Sequence, residues 1–464
     1  MKPGSGKMRA GSKKGVVGIL AGLIVFSVIA GGFLLFFGSG SAAASPTCNL
    51  VVNSENLADN AVQSAIDSAS PGWKVCLGAG SFPEQLTIST PGLKLVGAGA
   101  AKTFIDPTSV VADTVDWDSA PTHTPAAALL FVNNTTGVTI QGLAVSGSSS
   151  AGSISGCGEE FIGVDIQNSS GTTLLNDGVT GIELPPALLG CQNQLAVYAY
   201  TGYYATSYVP ASPVTVTMTH VSVTKYGKNG ITCDDPALSC VLSGDSVVGI
   251  GPTSATAQNG IQIAYGAVGT LSHDLVKQNA YTGTLSTLDW YGNGYQAAGI
   301  LLYLPGAGTT VETSTVSSNA MGVVSYGPAP IQIVGNSVSG STGYGIVENG
   351  EYGTQALIAN NTVNEAGAGG VGILVDNGTF NLTGNHIEHS SSSGTNGASQ
   401  VVCGSGSYLA CSPSQSVSTA AIQAVSESSA GPTNLVLSGN VFRSDSLSIA
   451  TTSVLGGSVS LQFA

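Results

Sequence analysis

The chain has 464 residues, of which only 8% are charged, while 64 are Gly and 42% are hydrophobic, a balance too apolar for a disordered polymer. Residues 1–45 carry five Lys or Arg and no acid, so the remainder holds 7 basic against 26 acidic side chains, a net of −19. That surface repels polyanions, which excludes nucleic acid and anionic membrane surfaces as its partners.

In chain order, residues 1–15 are a basic segment expected to stay in the cytoplasm. Val16 to Phe37 is an apolar run of 22 residues behind Lys13-Lys14. At 1.5 Å per residue it is long enough to span a bilayer as one helix. Two readings fit. One is an uncleaved signal anchor, favoured because the run exceeds the usual apolar stretch of a signal peptide. The other is a signal peptide cut after Ala42-Ala43-Ala44. Both place residues 46–464 outside the cytoplasm, either on a single-pass membrane protein or as a secreted one. Residues 38–54 read as a linker and residues 55–464 as one domain.

The eight Cys, at 48, 76, 157, 191, 233, 240, 403 and 411, support an oxidising compartment. Cys48, Cys76, Cys157, Cys191, Cys233, Cys240, Cys403 and Cys411 allow 105 pairings, of which sequential pairing is the simplest. Cys233–Cys240 and Cys403–Cys411 then close short loops. No C-x-x-C spacing occurs, so zinc ligation is not expected.

Residues 57–68 predict the one helix beyond the membrane run, with Ala58, Val62, Ala65 and Ile66 on one face. From there the pattern changes to short β runs. I-Q-I-V-G-N-S-V (331–338), A-L-I-A-N-N-T-V (356–363) and F-N-L-T-G-N-H-I (380–387) each put apolar residues at positions 1, 3 and 8 and Asn at position 6. The last apolar residues of such blocks are Val145, Val179, Val223, Val247, Leu275, Val316, Val338, Val363, Ile387 and Phe442. Neighbouring gaps of 24 (Val223 to Val247), 22 (Val316 to Val338) and 25 (Val338 to Val363) are one coil of a solenoid. The alternation is that of strands. The chain is therefore expected to be an all-β, single-stranded right-handed parallel β-helix of at least nine coils with a short N-terminal capping helix. The Asn at position 6 (Asn336, Asn361, Asn385, Asn440), with Asp177 and Asp245 in the same place, is expected to form a ladder whose side chains bond along the stack.

After the helix comes P-G-W-K-V-C-L-G-A-G-S-F-P-E-Q-L-T-I, then L-K-L-V-G-A-G. Helix, P-G-x-x-V-x-L-x-x-G-x-F-x-E-x-L-x-I and L-x-L-x-G-x-G together resemble the N-terminal cap and first coils of the pectin-lyase-like superfamily. The later blocks resemble its parallel β-helix repeats. The resemblance spans roughly residues 55–460. It implies the fold; the superfamily's activities range over lyases, hydrolases, esterases, epimerases, tailspikes and adhesins.

The chemistry of those activities is only thinly represented. A lyase groove is basic, but beyond residue 45 the only cations are Lys74, Lys94, Lys102, Lys225, Lys228, Lys277 and Arg443. The D-F-I-F-G and G-R-P-W segments of pectin methylesterases and the G-H-G and R-I-K segments of polygalacturonases are absent. Asp234-Asp235 is the one adjacent Asp pair and the candidate for acid–base hydrolysis; a capped turn inside a Cys233–Cys240 loop is the alternative.

A binding surface reads more clearly. Four or five residues after the Gly that opens one strand of each coil come Asp234 and Asp235, Tyr265, Tyr303, Tyr326, Asn349 with Glu348 just before it, and Asp376. In register these form one column of Tyr flanked by carboxylates, suited to sugar rings and hydroxyls, or an aromatic ladder that seals a turn. Insertions at 185–213, with five Tyr from Tyr198 to Tyr208, and at 281–296, with Trp290 and Tyr291, offer walls or a satellite core. Asp113, Asp116 and Asp118 are the one candidate Ca²⁺ site, or a solvated acidic turn; no other cofactor or metal is expected. H-I-E-H at 386–389 lacks zinc-protease spacing.

The expected function is recognition of an extracellular polysaccharide or glycan, or adhesion. The alternatives are a carbohydrate-active enzyme, either glycoside hydrolase or polysaccharide lyase-like, and a structural stalk. The membrane is a partner only through the N-terminal helix.

Overall fold

The computed structural model describes residues 47–56, 60–116, 124–202, 212–282, 297–365, 371–388, 421–427, 432–443, 445, 449–454 and 457–464. The apolar run 16–37, expected to span a membrane, lies outside them. Among the described residues no helix is long and apolar enough to cross a membrane.

Alternating Val, Ile, Leu and Thr with Gly or Asn at the corners produces three parallel sheets that run the length of a β-helix. The first sheet runs from Leu86–Ile88 to Ile449–Val454 and the second from Leu50–Val52 to Val459–Phe463. They share Tyr344–Ala359 and Val371–Thr383, which pass through the corner without a break. The third sheet has twelve strands. Among the described residues the one antiparallel pair, Thr114–Asp116 with Thr124–Asn133, is an edge addition.

In the third sheet one inward column runs Phe82, Ile105, Val145, Val179, Val223, Val247, Val276, Val316, Val338, Val363, Ile387 and Phe442. The rung at the fifth predicted anchor is Val276, not Leu275. Leu275 pairs with Ser246 and is half-buried, whereas Val276 is fully buried. Spacing could not separate the two; the parity of the strand does.

At the next corner the predicted ladder forms. Asp245 N–H donates to Asp274 Oδ1, Asp274 N–H to Ser314 Oγ, Ser314 N–H to Asn336 Oδ1, and so on through Asn361, Asn385 and Asn440, all at 2.9–3.1 Å. Each Asn Nδ2 also donates to a neighbouring coil's carbonyl, as from Asn361 to Ile333 at 2.9 Å. Buried polar groups are thereby satisfied along the stack. At the corner into the first sheet, Gly is required by close approach. A Cβ on Gly345 would sit 2.6 Å from the carbonyl oxygen of Gly372 in the next coil.

The helix is Ala61–Ser68 and buries Val62 and Ile66 against the first coils. Glu84 accepts the N–H groups of Val62 and Gln63, placing a carboxylate at the helix N-terminus. Disulfides join Cys48–Cys76, Cys157–Cys191 and Cys233–Cys240, which is the sequential pairing. Cys403 and Cys411 lie outside the described residues.

Candidate functional site

The register of the first sheet places Asp234, Ala264, Tyr303, Tyr326, Asn349 and Asp376 in one outward column. Tyr303 and Tyr326 stack with centroids 5.6 Å apart and planes 8° from parallel. Tyr265 is one residue past the column, because Ala264 takes the rung opposite Tyr303. It turns into the left-handed region (φ 51°), and its ring meets Tyr303 edge-on at 5.2 Å. Tyr303 is buried between its neighbours, whereas Tyr265 and Tyr326 are half-buried. The three rings therefore form a rigid ladder that is accessible at its two ends, not an open row. They pack on an apolar patch of Leu301, Val324, Val347 and Leu374, which lies on the same outer face and is itself buried.

Glu348 does not join this column. Side chains alternate along a strand, and Glu348 falls in the inward set, between Ser325 and Val375 on the adjoining rungs. It is fully buried, and burial pushes its carboxyl up to about 8, with Ser325 offsetting a little. Among the described residues no hydrogen bond of normal geometry reaches either carboxylate oxygen.

Asp234 and Asp235 part at the strand end. Asp234 closes Asn229–Asp234, while Asp235 swings to φ 94°. The Asp235 Oδ2 accepts from Thr201 N at 3.0 Å, Thr201 Oγ1 at 3.1 Å and Gly202 N at 2.8 Å. Asp235 thus ties one coil to the preceding one and does not face its neighbour across a cleft. Asp376, five rungs from Asp234, is about 24 Å away at the usual strand spacing, too far to act with it as a hydrolytic pair.

Trp290, Tyr291 and Asp118 lie outside the described residues. Asp113 is exposed and accepts the N–H of Ala128 at 3.0 Å. Among the described residues no three His, Cys, Asp or Glu gather as a metal cage. His386 and Glu388 lie 3.4 Å apart on the outer side of the third sheet.

Sequence reasoning missed one group. Gln194–Tyr200, read as part of an insertion, is a strand of the first sheet. Its Tyr198 sits beside Asp165 in register, and Tyr198 and Tyr200 stack at 4.5 Å. Tyr200 and Asp234 each follow the paired residues Ala199 and Cys233, so they too adjoin. All four face outward yet are buried. Amides continue the patch: Asn229 Nδ2 donates to Thr232 Oγ1 and to Gln262 Oε1, both at 3.1 Å, and Asn259 Nδ2 to Asn229 Oδ1 at 3.2 Å. At its margin Lys228 donates to Ala257 O at 2.6 Å, and burial lowers its ammonium to about 8. The available signal was the acid in the apolar run E-F-I-G-V-D-I-Q and the alternation of L-A-V-Y-A-Y.

No protein-family model matches the chain, and no curated protein does. Solved structures to which the chain is similar include the A-module of a mannuronan C-5 epimerase of Azotobacter vinelandii, 11% identical, covering 87% of this chain and 94% of that one with a TM-score of 0.44. A periplasmic alginate epimerase variant is 13% identical, covering 89% and 83%, with a TM-score of 0.41. A pectin methylesterase from carrot is 10% identical, covering 74% and 84%, with a TM-score of 0.33.

Proposed function

We propose that this chain is a polysaccharide-recognising parallel β-helix displayed outside the cell, and that it meets glycan at the tyrosine corner of its first sheet. The observation that carries this is the fixed aromatic stack, open at Tyr265 and Tyr326 and followed in register by Asn349 and Asp376. Pre-set rings fit sugar faces without ordering cost at binding. Each ring contributes on the order of 1 kcal/mol by analogy with aromatic pairs. Tyr265→Ala with Tyr326→Ala is then expected to weaken binding by ten- to a hundredfold on a panel of neutral and acidic polysaccharides, at about 1.4 kcal/mol per tenfold. Tyr303→Ala serves as the contrast: its ring is buried, so it costs about 3–5 kcal/mol of stability. Unchanged affinity in the folded double variant refutes this site.

A second reading, a carbohydrate-active enzyme, is favoured by Asp165 beside Tyr198 and Asp234 beside Tyr200. Carboxylate and phenol side by side are suited to moving protons at a sugar ring. Turnover of a bound polysaccharide that Asp165→Asn or Tyr198→Phe abolishes while binding persists replaces the first reading with the second.

A further inference from the structure

The outer face of the second sheet carries a groove of about 430 Å³ that owes nothing to the tyrosine corner. One outward column runs along its floor: Gln332, Leu357, Asn381, Val436 and then Gln462. The amides are exposed and the aliphatic residues between them half-buried. A second column, one step towards the strand starts, sets Gln355 beside Thr379, both exposed. Pro330 adds a further apolar surface.

Two properties of this groove identify a ligand. No ionisable side chain lines it, and the chain beyond residue 45 is strongly acidic. A polyuronate would find no cation there and a repulsive field around it. A neutral ligand that both donates and accepts would find amides able to do the same. The second property is periodicity. Amide and aliphatic side chains alternate from rung to rung, so each kind recurs every two strands, about 9.6 Å at a spacing of about 4.8 Å. That is close to the length of one disaccharide in an extended 1,4-linked chain, whose successive rings are turned over. Such a chain offers C–H surface and hydroxyl edges at the same period. An amide ladder that merely keeps a solvated face polar would need neither the aliphatic alternation nor a concave surface.

We propose that this groove is a second glycan site, for a neutral, extended, 1,4-linked polysaccharide lying along the solenoid axis. Leu357, Val436 and Pro330 underlie the rings, while Gln332, Asn381 and Gln355 hold the hydroxyls. The site is independent of the tyrosine reading and survives its failure.

The test titrates the full-length chain with cellohexaose and mannohexaose, and with hexagalacturonate as the charged comparison. At least one neutral hexasaccharide is expected to bind. Gln332→Ala with Asn381→Ala is expected to weaken it at least tenfold, and Leu357→Lys to do the same by charging the floor. In the Tyr265→Ala, Tyr326→Ala background, where the first site is removed, the neutral hexasaccharide is still expected to bind and the groove substitutions to weaken it at least tenfold, which separates this site from the first. If the double amide variant loses thermal stability, Gln332→Ala alone replaces it, since that side chain is exposed. The proposal is overturned if neither neutral hexasaccharide binds, if the groove variants bind it as tightly as the parent chain, or if hexagalacturonate is the ligand that the groove variants lose.

Discussion

Glu348→Gln probes how the solenoid interior tolerates an acid. Glu348 stands in an inward column among Val375 and Ala424 on the following rungs, with only Ser325 beside it to soften the burial. Its carboxyl rises from 4.5 to about 8 on folding. The folded state thus holds its proton over a range where the unfolded chain has released it. The contribution to stability is therefore complete below pH 4.5, declines as pH rises towards 8, and levels off above about 9. Between pH 5 and 9 the loss is about 4 kcal/mol, taking about 1.4 kcal/mol per unit. Gln keeps the shape and cannot ionise. Urea unfolding of the full chain at pH 5, 7 and 9 is expected to show the parent weakening with pH, and the Gln variant weakening less by on the order of 4 kcal/mol. Other raised acids, among them Glu365 at about 8 and Asp177 and Asp274 at about 7, slope in the same direction and are common to both chains. Parallel pH profiles for the two chains would refute the placement of Glu348 in the interior.

Two further outcomes follow from the same physics. Asn361→Ala removes an amide that donates to Ile333 O and Asn385 Oδ1 and whose Oδ1 accepts both Asn336 donors, so buried partners are left unpaired. A loss of about 3 kcal/mol is expected in urea unfolding, and a loss under about 1 kcal/mol would mean water fills the gap. If the domain is displayed on the cell surface, as proposed from the apolar run behind Lys13-Lys14 and the cysteine pairs, externally added protease is expected to digest residues 46–464 on intact cells. Full protection of the domain in intact cells contradicts both the anchored and the secreted form.

What could be read in the sequence was what every coil repeats. Asn336, Asn361, Asn385 and Asn440 recur because each rung of the ladder needs the same donor and acceptor at the same corner. Gly322 and Gly345 recur because the next coil's backbone leaves no room for a Cβ. Errors came where position was counted from a landmark without regard to parity. Leu275 and Val276 are both apolar, and only the pairing of Val247 with Val276 shows which one is inside. Tyr265 was placed by its distance from Gly260, yet the strand ends at Ala264 and the chain turns there, so its ring meets Tyr303 edge-on. Glu348 was placed by the same count, one residue short, and one residue in a strand is the difference between solvent side and core.

The candidate sites were harder to read for a reason that follows from this. A core column is apolar in nearly every coil, Ser325 and Glu348 being departures from it, so it repeats and announces itself. An outward column is free to change from rung to rung, and a ligand aligned with the axis reads it across coils separated by 25 to 58 residues of sequence, as from Asn336 to Val311 or from Asn440 to Leu382 for the bonds of the ladder itself. Asp165 meets Tyr198 after 33 positions, and Asn381 meets Val436 after 55. No local window holds either pair. Only a register can assemble them, and the same property lets one rigid solenoid carry an aromatic corner on its first sheet and an amide-lined groove on its second.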